Sequence, residues 1–189
     1  MLFRSKQIVL HITGPVPIEH KSDLLVILNE FIKTCSNFPD HISNRLFLAF
    51  SVGNENHNCF KSKGFQKLSI EEIYHLATMI LFPSETEGRG LPIVESAASS
   101  IPIVCSRYIP EEVFAGVIGE DLEEEQQIRY FNFPEKEFTA EFLNYICEYL
   151  LHPENFSEFI DHNKQAVKMR YGADIMKKNF QELLTKFSS

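Results

Sequence analysis

The segment Ser84-Glu85-Thr86-Glu87-Gly88-Arg89-Gly90-Leu91-Pro92-Ile93-Val94-Glu95 places three carboxylates and two glycines between two apolar runs. Gly88 and Gly90 permit tight backbone paths and close approach of a ligand. Pro92, suited to a first helical position, opens a helix over 92–99 whose free amides face the loop. Because Pro92 has no amide proton, Leu91, Ile93 and Val94 must supply the donors. About half a positive charge gathers at such a helix start, so a phosphate or diphosphate is the ligand chemistry the loop suits. Glu95, in the first turn of that helix, has two readings: it accepts hydrogen bonds from neighbouring hydroxyls such as those of a ribose, or it complements the helix dipole. Glu87 faces a bound sugar or is a solvated loop carboxylate.

These residues need a scaffold, and the flanking chain supplies one. Residues 7–13 (QIVLHIT) are short, apolar and β-branched and stop at Gly14-Pro15, as a buried strand ending in a turn does. Ser22 can cap a helix over 22–35, where Leu24, Leu25, Leu28, Phe31 and Ile32 form one apolar stripe. A strand follows at 45–51, closed by Gly53. Ser69 and Glu72 have the spacing of a capping box for a helix whose stripe continues through Ile73, Leu76, Ala77 and Ile80. Residues 79–82 (MILF) read as a central strand, with the acidic loop at its carboxyl end. The helix over 92–99, in which Ala97 and Ala98 allow close approach to a sheet, leads to a strand at 101–106. A short helix from Glu111, a weaker strand near 128–133, an amphipathic helix over 139–151 and a helical last forty residues complete the chain. The alternation predicts an α/β fold: a single Rossmann-like domain over 1–189, with a parallel sheet, helices on both faces and a helical C-terminal segment. Ligands on such sheets bind beyond the carboxyl ends of the strands.

Composition narrows the function. The 189 residues are 44% hydrophobic and 12% aromatic, which fits one globular domain. A formal charge of −8 argues against a general nucleic-acid binder. Cys35, Cys59, Cys105 and Cys147 lie far apart without zinc or disulfide-framework spacing, and the histidines show no metal-ligand spacing, so no metal site is expected. No run reaches the roughly 18 apolar residues of a membrane span. Residues 122–127 (LEEEQQ) read as a solvated face, His11 as a core or edge histidine, and Pro110 with two following glutamates as an ordinary helix start.

Residues 87–95, two glutamates separated by seven residues within EGRGLPIVESAA, resemble the signature of the nucleotide-sugar-binding domain of retaining glycosyltransferases with two Rossmann-like domains. This is the large group that includes sucrose-phosphate, lipopolysaccharide, capsule and mannosyl transferases. LHITGP, LFLAFSVG, SIEEIYHLATMILFPS and IPIVCS stand in the family's order, so the resemblance covers most of the chain. It implies the C-terminal, donor-binding half of a GT-B fold. Glu95 would bind the nucleotide ribose, Glu87 would be the catalytic residue beside the reacting carbon, and amides around Gly88, Gly90 and Leu91 would hold sugar and diphosphate. Gly14, Ser51 and Gly53 stand where family members contact the nucleotide, or are turn residues. Arg89 replaces the family's usual aromatic residue and either binds a charged donor or acceptor or covers the crevice rim.

The implied reaction is retaining transfer of a hexosyl group from a UDP- or GDP-sugar to a glycan or lipid-linked acceptor, without metal or other cofactor; the chain has no Asp-x-Asp pair. The family's leading strand and helix, with their arginine and lysine clamp, have no counterpart; Arg4 and Lys6 precede a strand and do not take that role. The acceptor site is therefore expected in a missing N-terminal domain or a partner subunit, with the chain inactive alone. The expected location is cytoplasmic, peripheral to the membrane in a full-length parent. A non-catalytic nucleotide-sugar-binding or regulatory module, or a subunit of a split glycosyltransferase, is the alternative. An epimerase of the same two-domain fold would not be expected to carry this glutamate pair.

Overall fold

The computed structural model describes residues 7–13, 21–51, 69–134 and 137–187. The chain divides into two compact units, Met1–Ile70 and Glu71–Ser189. In the first, β1 (Ile8–Thr13) is followed by α1 (Lys21–Ser36), the one-turn α2 (Asp40–Ser43) and β2 (Leu46–Ser51). The strands pair in parallel along their whole length, Ile8 opposite Leu46 and Thr13 opposite Ser51. A parallel pair cannot be joined by a tight turn, and the helical crossover answers that need. None of the side chains described in this unit is buried; on the α1 stripe Leu25 and Ile32 stay 61% and 57% exposed.

The second unit holds the core. It runs α3 (Ile70–Leu76, starting at the boundary), β3 (Ile80–Phe82), α4 (Leu91–Ala98), β4 (Ile103–Cys105), α5 (Glu111–Ile118), β5 (Phe131–Asn132), α6 (Ala140–Leu151), α7 (Ser157–Tyr171) and α8 (Ala173–Phe187). β4 is central, parallel to β3 on one side (Ile80 opposite Ile103) and to β5 on the other (Val104 opposite Phe131). Ile103, Val104 and Cys105 are all buried without alternation, as a strand covered on both faces requires. The fold is α/β with parallel strands, and among the described residues it contains two parallel sheets, β1–β2 and β3–β4–β5, where the sequence predicts one.

Several local expectations shift. The helix after Ser69 stops at Leu76, so Ile80 opens β3 rather than closing a helical stripe. Of the two alanines, Ala97 is buried and Ala98 exposed. Ala97 joins the core, and beside it Ser96, fully buried, donates its Oγ–H to the Ile101 carbonyl at 2.6 Å and fastens the turn from α4 into β4. Thr139, read as the first residue of the helix over 139–151, instead caps α6 by accepting from the Phe142 amide at 3.1 Å.

α5 ends at Gly119, whose φ of 87° is the left-handed turn that lets Gly119 and Glu120 both donate to the Ala115 carbonyl. The remaining carbonyls of that helix end are taken by Arg170 of α7, whose guanidinium donates to Gly116, Val117 and Ile118 at 2.5, 2.8 and 3.1 Å. Asn163 of α7, 3% exposed, accepts from the Arg129 amide and donates to the Arg129 carbonyl, both at 2.7 Å, so β5's approach is also held by α7.

Candidate functional site

Beyond β3 the chain stays paired. Thr86 bridges Ile109 in parallel; the Ile109 amide donates to Glu85 O at 2.9 Å and the Glu87 amide to Ile109 O at 3.0 Å. The loop is thereby pinned along the segment leaving β4. Extended backbone alternates its side chains, so Glu87 and Tyr108 share the face opposite Thr86 and Ile109. Ile109 is 66% exposed and Tyr108 1%, which fixes that face as the inner one.

The half-buried Glu87 turns back on its own loop: its Oε1 accepts from the Gly88 amide at 2.9 Å and the Arg89 amide at 3.0 Å. Two consecutive amides converging on one oxygen have the geometry of an anion-binding concavity, and here the chain's own carboxylate fills it. A Cβ built on Gly88 meets nothing, so the loop is open on that side. Arg89 is exposed. Gly90 is buried, at φ 61°, and caps α4; a Cβ there would collide with the Tyr108 hydroxyl and stand 2.9 Å from Val117. Glycine is therefore required at 90 by space as well as by backbone conformation.

α4 begins at Leu91, not Pro92, which makes Glu95 its fifth residue and places it beyond the first turn in which the sequence predicts it. The amide of Ile93, expected to face a ligand, donates to Gly90 O at 3.1 Å. Helical side chains lean toward the N-terminus, so Glu95 still reaches back along α4. It meets Tyr74 of α3, a buried residue whose hydroxyl donates to Pro92 O at 3.5 Å. Burial first, then the Glu95 charge, push the Tyr74 phenol well above its usual range; the phenol stays protonated and serves as a donor.

Tyr108 has the opposite situation. Its ring stands edge-on to Phe114 at 4.9 Å and to Phe82 at 6.3 Å, and its hydroxyl is buried without a hydrogen-bond partner among the described residues. Burial, with the Glu87 charge next, pushes it up to about 12. Cys105 at the end of β4 is likewise raised to about 12 by burial, so it is a packed thiol and not a nucleophile. Tyr74 does not stand out in the sequence; Tyr108 lies in RYIPEEVF (107–114), which the family resemblance offers as a segment positioning a loop near the donor, with an ordinary helix start at Pro110 the preferred reading. The available signal was a tyrosine three residues after a short buried strand, within a segment read as a plain helix start.

Gly14 and Gly53 lie outside the described residues, as do Arg4 and Lys6; Ser51 ends β2 in the first unit, and its side chain is also outside them. Glu87, Gly88, Arg89, Gly90, Leu91 and Glu95 fall on one loop and helix of the second unit. Among the described residues there is no group of three or more His, Cys, Asp and Glu able to hold a metal, and no helix long and apolar enough to cross a membrane. An open cleft of about 630 Å³, lined by Ile118, Glu120, Glu124, Gln127, Ile128, Arg129 and Tyr130, includes none of residues 87–95. Its charges answer one another or their neighbours, Arg129 to Glu124 at 3.2 Å and Glu120 to Arg107 at 2.6 Å, and we assign it no ligand.

No protein-family model and no curated protein matches the chain. Among solved structures it is similar to the pneumococcal O-GlcNAc transferase GtfA in complex with UDP and GlcNAc, at 18% identity and a TM-score of 0.49 over 95% of this chain and 36% of that one. It is also similar to a GtfA/B complex, at 14% identity and a TM-score of 0.47 over 96% of this chain and 37% of that one. The chain spans little more than a third of the length of either. At these scores the likeness transfers no function, and the α/β class rests on the strand pairing described above.

Proposed function

We propose that the chain is the donor-binding domain, over residues 1–189, of a retaining glycosyltransferase that moves a hexosyl group from a UDP- or GDP-sugar to a glycan or lipid-linked acceptor. The observation that carries the reading is the segment from Glu87 to Glu95: two glutamates bracket a left-handed glycine and a helix start beyond the carboxyl end of a parallel strand. That is where an α/β sheet receives ligands, and the arrangement supplies the chemistry sugar transfer needs. When the nucleoside diphosphate leaves the anomeric carbon, negative charge grows on phosphate and positive charge on the sugar. Backbone amides and the dipole of α4 meet the first, at ~2.7–4 kcal/mol per well-placed donor. Glu87 stabilises the second, and Glu95 accepts from the ribose hydroxyls. Gly14, Ser51, Gly53 and Arg89 contribute to donor binding, with no metal or cofactor, and the acceptor is held by another domain or subunit.

Calorimetric titration with UDP-glucose, UDP-GlcNAc and GDP-mannose tests the reading. One donor is expected to bind, and Glu95→Ala to weaken it about 10- to 100-fold, the value of hydrogen bonds to a charged group. Failure of every nucleotide sugar to bind the folded chain overturns the reading.

A second reading is favoured by the Glu87 carboxylate being turned onto its own loop amides: a module that binds the nucleotide sugar, or a subunit of a split transferase, without catalysing transfer itself. Tight donor binding that is unaccompanied by transfer in the presence of acceptor and any copurifying partner selects it.

A further inference from the structure

We propose that Tyr108 is the second seat of the Glu87 carboxylate: an anion that takes the Gly88 and Arg89 amides moves Glu87 off them and onto the Tyr108 hydroxyl. Ligand binding and the placement of Glu87 then become one event, and Tyr108 is a positioning residue. The proposal deepens the donor-domain reading and rests on it only for the identity of the anion.

Three observations support it. The amides are filled by the chain's own carboxylate, through Oε1 alone, at 2.9 and 3.0 Å. A phosphoryl group and a carboxylate cannot share them, because like charges a few ångströms apart repel and each needs the same two protons. Next, the displaced group has a neighbour able to receive it. Glu87 and Tyr108 lie on the same inner face of the pairing around Ile109, and Tyr108 feels the Glu87 charge. Last, that neighbour is a buried hydroxyl with no partner among the described residues, set against Gly90 at the start of α4. A buried hydroxyl left unpaired is costly, and a carboxylate brought against it would remove that cost. The other nearby donor, Arg89, is exposed and already solvated.

The test is a double-mutant cycle read by titration with inorganic pyrophosphate, and in parallel with UDP-GlcNAc, on the whole chain. Glu87→Ala removes the resident carboxylate and is expected to tighten pyrophosphate binding several-fold. Tyr108→Phe, which deletes only the hydroxyl, is expected to weaken it about 5-fold, the worth of one hydrogen bond. In the Glu87→Ala background, where nothing remains to be received, Tyr108→Phe should change it by less than about 2-fold. In the free chain the Gly88 and Arg89 amide proton resonances should move on Glu87→Ala substitution, and with pyrophosphate bound they should be alike in the two chains. Equal weakening by Tyr108→Phe in both backgrounds overturns the proposal, as does no weakening in either, or pyrophosphate binding to no variant. A coupled cycle with pyrophosphate but no nucleotide-sugar binding keeps the exchange and removes the donor reading. Nucleotide-sugar binding with an additive cycle does the reverse.

Discussion

The two ends of the segment from Glu87 to Glu95 each set a glutamate beside a buried tyrosine, and the two pairs differ in one respect. At the Glu95 end the Tyr74 hydroxyl has an acceptor, Pro92 O, and the Glu95 charge acts on it. At the Glu87 end the Tyr108 hydroxyl has none among the described residues, while Glu87 bonds to backbone. The same two side-chain types thus give a finished contact at one end, which fixes α4 against α3, and an unfinished one at the other. A finished pair contributes stability; an unfinished pair sacrifices some of it and leaves a site able to respond to a ligand.

Gly90 joins the two ends, and substitution there should have the largest effect. Gly90→Ala forces a side chain into a left-handed φ and against Tyr108 and Val117, and should lower stability by about 3 kcal/mol or more in denaturant unfolding. Gly88→Ala, in open space, should cost no more than about 1 kcal/mol, so a similar loss at both positions would contradict the packing described. Ser96→Ala, which orphans the buried Ile101 carbonyl, should cost about 1–3 kcal/mol.

The tyrosines sharpen the comparison further, since the same deletion should act with opposite sign. Tyr74→Phe is expected to lose about 1 kcal/mol, and Tyr108→Phe to be neutral or to gain about that much in the ligand-free chain. Losses of equal size from both would make the pairs alike. Alkali should act on both, since both phenols are raised. A phenol whose folded pKa lies above its unfolded value near 10 holds its stabilising, protonated form fully below pH 10 and loses it as pH rises toward about 12. Unfolding measurements across that window should show the alkaline loss, reduced in the Tyr108→Phe chain.

The smallest effect belongs to the solvent-facing Arg107–Glu120 pair, joined at 2.6 and 2.9 Å. The guanidinium hydrogen bond holds the Glu120 carboxyl below its usual range. Its contribution is therefore present at neutral pH and lost as pH falls through that lowered value, and it should fade in high salt. Retention of the full effect in 1 M salt would show the pair to be more deeply set than its exposure indicates.

The parts of the fold legible in the sequence were those encoded by local pattern. The β-branched run at 7–13 and the stripe of α1 each declare themselves within a few residues, and each appears within a residue or two of its expected place. The carboxylates and glycines at 87–95 were legible as chemistry for the same reason. What escaped was set by distant contacts. Whether Glu87 points at solvent, at a ligand or at its own amides depends on the pairing of 85–87 with 109, more than twenty residues away. The helix register that moves Glu95 out of the first turn depends on Gly90 fitting over Tyr108. Local periodicity likewise leads to one sheet, because it cannot tell which strands become neighbours.

The guanidinium of Arg170 satisfies the end of α5, the helix whose Val117 lies beneath Gly90. The wall under the acidic loop is thus completed by a residue close to the carboxyl end of the chain. A polypeptide cut by a protease or a premature stop codon ahead of residue 170 would keep every loop residue and still lack the strut beneath them. Truncation in that stretch should therefore read out as a damaged site, although no residue of the site itself has been removed.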